Sequence, residues 1–173
     1  MAEKGFLKHS RGTSPGPHAR ISGAGWAAIE AYKTPNRESD KVFVAMWFTD
    51  KTDSAYSDGI HPAIEDDCGY RAIRIDAKDF IGDIVDEIIA EIRESRFIVA
   101  DFTGQRQGVY YEAGYARGLG LPVIWTCGKS DIDNLHFDTR QQNHIDWETP
   151  EELRERLAHR IRAVIGPGPR RKI

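Results

Sequence analysis

Three stretches of this 173-residue sequence gather polar and aromatic side chains as a small-molecule site needs them. The richest is VADFTGQRQGVYYEAGYARGLGLPV, residues 99–123. A strand-like run ends there at Asp101 and Phe102, a Gly-bearing loop follows, and YYEAG opens a helix. Glu112 then falls within the first turn or two of that helix. A helix N-terminus favours a carboxylate, and a positioned carboxylate can attack an electrophilic sugar carbon. Gly114 allows close approach of the helix backbone to sheet or ligand. The plainer account of Glu112 is a helix-favouring residue where Glu is common anyway, and spacing alone leans that way. The second stretch, MWFTDKTDSAY (46–56), runs from a strand into Trp47, Phe48 and a polar turn holding Asp50. Aromatics at a strand end can form a flat wall for a planar ring such as a nucleobase, or simply pack in the core. Neighbours on a strand point to opposite faces, so these two have different roles. The third, LHFDTRQQNH (135–144), offers His136, Asp138 and His144. Their spacing matches no zinc pattern, so no metal is expected there.

These residues need elements to hold them. KVFVAMWF (41–48) reads as a buried strand, and residues 53–68 as a helix that Pro62 kinks or restarts. Gly69 is placed to stop it. YRAIRID (70–76) is the next strand, and 83–95 is a helix with apolar residues at Ile84, Val85, Ile88, Ile89 and Ile92. RFIVADF (96–102), LPVIWTC (121–127) and NHIDW (143–147) are further strands. A helix runs from Val109 or Tyr110 to about Leu119, and another over 150–165. Strands alternating with single helices predict an α/β, flavodoxin-like three-layer sandwich with a five-stranded, mostly parallel sheet in the order 2-1-3-4-5. Ligands of such sheets bind at the carboxyl ends of the strands. Chemistry is therefore expected just after Phe48, Asp76, Phe102 and Cys127. The letters GYARGLG (114–120) close a helix instead of opening one, so the dinucleotide-binding fingerprint fails. Gly118 and Gly120 read as terminators before Pro122.

Composition sets outer limits. Lys and Arg total 24 against 27 Asp and Glu, a net charge of −3, which gives no broad positive field. Direct nucleic-acid binding is not expected. No run approaches the ~18 apolar residues of a membrane span, and the first twenty residues lack the apolar core of a secretory signal. Cys68 and Cys127 make no disulfide framework. The expected product is a cytoplasmic protein with one main domain at 41–165. Residues 1–40 read as a flexible leader, disordered over 1–20, with a short helix in ISGAGWAAIEAYK; 166–173 form a basic tail.

MWFTDKTDSAY followed by VYYEAGYARGLGLPVI resembles the nucleoside 2-deoxyribosyltransferase family, including its deoxynucleotide N-glycosidase branch. In that family an aromatic-bearing loop after the first strand lines the base pocket, and the Glu of a G-x-x-x-E-x-G-x-A motif is the nucleophile. Gly108, Glu112, Gly114 and Ala116 reproduce that motif in order. The resemblance implies N-glycosidic chemistry on a nucleoside or nucleotide with no cofactor. Glu112 would attack C1′ as the base departs; a second base then gives transfer, and water gives hydrolysis. Tyr110 or Tyr111 would orient Glu112, Trp47 and Phe48 would hold the base, and Asp50 would sit in the pocket. Asp101 would touch sugar hydroxyls or cap its strand. Arg106, in the loop before the motif, would pair with a 5′-phosphate. Asn143 and His144 would close the pocket of their own subunit or a neighbour's, since members commonly assemble as homo-oligomers. The family's helical acid aligns with Ile88, and Asp86 and Glu87 just upstream are its candidates. TIR-type domains share the sheet and use a Glu on NAD, which gives a second reading. ISGAGW resembles the ending of helical modules in larger, phage-defence proteins. A non-catalytic nucleotide-binding sensor is the third reading.

Overall fold

The computed structural model describes residues 5–10, 18–33, 35–75 and 84–171. Parts of the expected leader, Thr34, and residues 76–83 with Asp76 and Asp83 lie outside the described residues. The chain divides into two units, Met1–Arg37 and Glu38–Ile173. In the first, β1 (Leu7–Ser10) pairs antiparallel with β2 (His18–Ile21), with Leu7 opposite Ile21 and Lys8 opposite Arg20. The helix α1 (Gly23–Lys33) follows, its first turn capped by Ser22, whose Oγ accepts the Gly25 N–H at 3.0 Å. Seven of these strand residues fall within 1–20 and correct the expectation of a disordered stretch there. The pairing gives their backbone groups partners that polar composition does not announce.

In the second unit, runs of β-branched and aromatic residues build the sheet. Its strands are β3 (Lys41–Ala45), β4 (Arg71–Ile73), β5 (Phe97–Asp101), β6 (Val123–Gly128) and β7 (Ile145–Trp147). All four pairings are parallel and the order is β4-β3-β5-β6-β7, the expected flavodoxin-like arrangement. A parallel sheet is covered on both faces, so its strands read as continuous apolar runs whose alternate residues serve different cores. Val42, Val44, Phe97, Val99, Ile124 and Ile145 belong to one core, with Leu153, Leu157 and Ile161. Phe43, Ala45, Ile98, Ala100, Trp125 and Cys127 belong to the other, with Ile92, Val109, Ala113 and Ala116. The central strand β5 is buried at every position.

The stretch after β3 begins with α2 (Asp50–Ser54) and continues as two π-helical stretches, Ala55–Ile60 and Ala63–Asp67. Pro62 between them has no N–H to donate, and its ring excludes the carbonyl four residues back, so the helix widens there. Gly69 stops it at φ +74. On the other face lie α3 (Ile84–Glu94) and α4 (Gln107–Gly118), which begins two residues before the expected start. The last helix, α5 (Pro150–Val164), opens on Thr149, whose hydroxyl accepts the Glu152 N–H, with Pro150 in its first turn. Arg154 of α5 grips Asp67 with two hydrogen bonds of 2.7 and 2.9 Å. Residues 166–171, read as a tail, bond back to the domain: Gly168 and Arg170 donate to the carbonyls of Cys68 and Gly69. Among the described residues no helix is long and apolar enough to cross a membrane.

Candidate active site

The chain leaves β3 for β4 on one side and then crosses back to β5 on the other. The carboxyl ends of β3 and β5 therefore diverge, and a crevice opens between the loops that follow them. It encloses about 510 Å³ and is lined by Trp47, Thr52, Thr103, Gly104, Lys129 and Trp147 among others. Three of the four expected positions, just after Phe48, Phe102 and Cys127, thus flank it; the fourth, after Asp76, is outside the described residues. Lys129 pairs with Glu148 at 2.9 Å across its rim.

Trp47 reaches this crevice because Gly104 yields space. A Cβ on Gly104 would sit 2.3 Å from Trp47 Cε3, and the backbone there has φ +75. Gly104→Ala meets both the ring and an unfavourable backbone, and is expected to lose about 1–2 kcal/mol in denaturant unfolding. The strand expected over 41–48 ends at Ala45, and Phe48, in the irregular stretch that follows, does not line the crevice. Phe48 packs against the α5-side core, and Arg74 lies over its ring at 5.0 Å. The expectation that both rings wall one pocket is corrected: of the two, Trp47 alone lines this crevice. Asp50, the first residue of α2, is exposed.

Asp101 is 1% exposed and its carboxylate is fully engaged. Oδ1 accepts the Thr103 N–H at 3.1 Å; Oδ2 accepts the Thr126 hydroxyl at 2.6 Å and Trp147 Nε1–H at 3.0 Å. Of its two expected roles the geometry gives it the cap, and leaves no oxygen facing a sugar.

The helix α4 carries the motif Glu. Val109, Ala113 and Ala116 face the sheet, and Glu112 stands three residues after the first and four before the last, on the same side. It is half-buried in the second turn. Among the described residues its carboxyl has no hydrogen bond or ion pair. The helix dipole fades beyond the first turn, so desolvation acts alone and pushes its pKa up to about 7. At neutral pH it can thus be a free carboxylate or hold a proton. Glu112 is not among the residues lining the Trp47 crevice.

The expected helpers of Glu112 go elsewhere. The Tyr110 hydroxyl donates to Gln105 Oε1 and accepts the His136 N–H at 3.3 Å. Tyr111 is exposed and stacks on Tyr115 at 6.5 Å. Residues one and two positions before Glu112 do not share its face of the helix, so neither ring can orient it. Asp86 and Glu87 are exposed in the first turn of α3, because Ile84, Ile88 and Ile92 take its inner positions. Arg106, the N-cap position of α4, lays its guanidinium over Trp47 at 4.7 Å. Asn143 is exposed. His144 sits edge-on to Phe102 and Trp125, 5.7 and 5.6 Å away, with Nδ1 2.9 Å from the Gln142 carbonyl and Nε2 buried without a partner. Burial lowers its pKa, against the opposing pull of the Gln142 carbonyl and Asp101. His136 faces Asp138 at 3.3 Å.

Gly108 and Gly114 are exposed, and a Cβ on either meets nothing within 4 Å. Of the two expected uses of Gly114, close approach to the sheet is corrected, because Ala113 and Ala116 make that contact. Gly114→Ala is expected to raise stability by about 0.5–1 kcal/mol, read by urea unfolding. Thr52, Thr103, Gly104, Trp147 and Arg74 carry no sequence signal beyond their place at the end of a strand or in the segment that follows it. In comparisons with known proteins, no family model and no curated protein matches this chain.

Proposed function

We propose that this chain breaks or transfers the N-glycosidic bond of a (deoxy)nucleoside or (deoxy)nucleotide, with Glu112 as nucleophile. The observation that carries this reading is the desolvated Glu112 carboxyl, without a partner among the described residues, on the helix that follows the switch-point strand β5. A carboxyl that meets no internal cation is open to a positively charged transition state. A Glu112 oxygen forms a bond to C1′ as the C1′–N bond breaks; its electron pair leaves with the base, which takes a proton. Water then frees the sugar and restores the carboxylate, or a second base captures it. Trp47, standing free of the core at the crevice, supplies the flat surface for a base.

The test is incubation with deoxynucleosides, nucleosides, their 5′-monophosphates and NAD, with chromatography for free base. Release of base supports the reading, and the substrate that gives it separates a nucleotide enzyme from an NAD-cleaving one. One observation favours a binding module instead: the Trp47 crevice has its own polar lining without Glu112. Ligand binding with no base released from any member of the panel would replace the enzyme reading with that one.

A further inference from the structure

Arg74 follows β4 at the same carboxyl edge. Its guanidinium carbon lies 4.1 Å from the centre of the Tyr56 ring and 5.0 Å from that of Phe48. It is half-buried, and among the described residues it has no hydrogen bond and no ion pair. Among the described residues the acid that acts with Arg74 on Tyr56 is Glu65, and its Oε1 accepts the Ala72 N–H at 3.0 Å and lies 3.6 Å from His61 Nε2.

Two rings thus hold a planar cation in place without neutralising it. The ring contacts are made at the guanidinium carbon, and among the described residues no N–H of Arg74 has a hydrogen-bond acceptor. A long side chain ordinarily loses rotamer freedom on binding; here the rings have already restricted it. Such a fork matches two oxygens of one phosphate. Arg106 is the contrasting case, an exposed side chain resting on one ring.

We propose that Arg74, clamped between Phe48 and Tyr56, anchors the phosphate of a nucleoside 5′-phosphate, which makes a nucleotide and not a free nucleoside the ligand of this sheet edge. The nucleoside part of that ligand rests on the function proposed above; the anion anchor rests on Arg74 alone. Arg74 directly follows β4, which pairs with β3, so it stands at the same carboxyl edge of the sheet as the segment after β3 that carries Trp47 and Phe48.

The experiment is calorimetric titration of the four common deoxynucleoside 5′-monophosphates and the matching deoxynucleosides, in the Glu112→Gln background so that nothing turns over. At least one nucleotide is expected to bind about 10-fold or more tightly than its nucleoside. Arg74→Lys and Arg74→Ala should bring that ratio close to one and leave nucleoside affinity within about twofold. Arg106→Ala should preserve the ratio. Arg74→Lys keeps stem and charge, so it separates loss of the fork from loss of packing, with thermal melting as the check. A ratio that survives both Arg74 substitutions, a parent with no preference, or no binding by either series would overturn the proposal. With Glu112 intact, base release that is unchanged by Arg74→Ala and shows no nucleotide preference removes this inference and leaves the Glu112 reading standing; an Arg74-dependent binding preference with no base release from the parent does the reverse.

Discussion

Glu112→Gln is expected to lower kcat/KM for base release by at least about 1000-fold while the protein stays folded. Glutamine keeps the shape and loses the nucleophile, so residual release measures only what binding and Trp47 contribute. The pH profile of the parent carries the sharper test. A nucleophile works as the carboxylate, so kcat/KM should rise with pH through about 7 and be about 100-fold lower at pH 5 than on the plateau. A falling limb at the same pH would make Glu112 a general acid and sink the nucleophile assignment. Stability gives an independent readout. The folded-state pKa near 7 lies above the ordinary value of 4.5, so between those values the folded protein holds a proton that the unfolded chain has released. Raising pH through that window costs stability, and the cost is complete above about 7. Glu112→Gln lacks this cost. It should match the parent near pH 4.5 and exceed it at pH 8 in denaturant unfolding.

The fold was legible because a parallel sheet writes itself as apolar runs separated by single helices. KVFVA, FIVAD and VIWTCG each satisfy two cores by alternation, whereas Trp47 and Phe48, expected at the end of the first strand, lie beyond it. Periodicity says less about a helix's polar residues. Asp86 and Glu87 directly precede Ile88 in sequence, yet the isoleucine stripe of α3 turns both to solvent. Gly114 looked like a close-packing glycine because it neighbours Glu112, but Ala113 and Ala116 hold the inner positions. Arg74 was illegible for another reason. Its significance comes from Tyr56 and Phe48, eighteen and twenty-six residues upstream, and only the pairing of β3 with β4 brings them to it. Asp101 carried two roles in the sequence, and long-range partners chose between them.

That choice sets the largest expected loss of stability. Asp101→Ala should destabilise the domain by about 3–5 kcal/mol, because three donors lose one buried anionic acceptor. The Thr126 hydroxyl and Trp147 Nε1–H stand at a carboxylate that is 1% exposed, where water does not replace it. The lost bonds span β5, β6 and β7 and the Thr103 turn, so the whole carboxyl edge loosens. In a domain of this size the midpoint should fall by about 10 °C. Asp101→Asn keeps one oxygen but turns an NH2 toward a donor, and should lose somewhat less. Thr126→Val removes one donor with little change in shape and should cost only about 1 kcal/mol. Calorimetric melting of the three variants checks the order Ala, then Asn, then Val. A sugar-contacting Asp101 would give the opposite pattern, in which Asp101→Asn melts like the parent and loses only substrate affinity. The cap also explains why the crevice has a fixed floor. Gly128 N–H donates to the Thr103 hydroxyl at 2.8 Å, while Thr103 N–H donates to Asp101, so one carboxylate sets the loops after β5 and β6 against each other. Substituting Asp101 should therefore weaken ligand binding at the Trp47 crevice through lost order, even below the melting transition and with no atom of Asp101 touching the ligand.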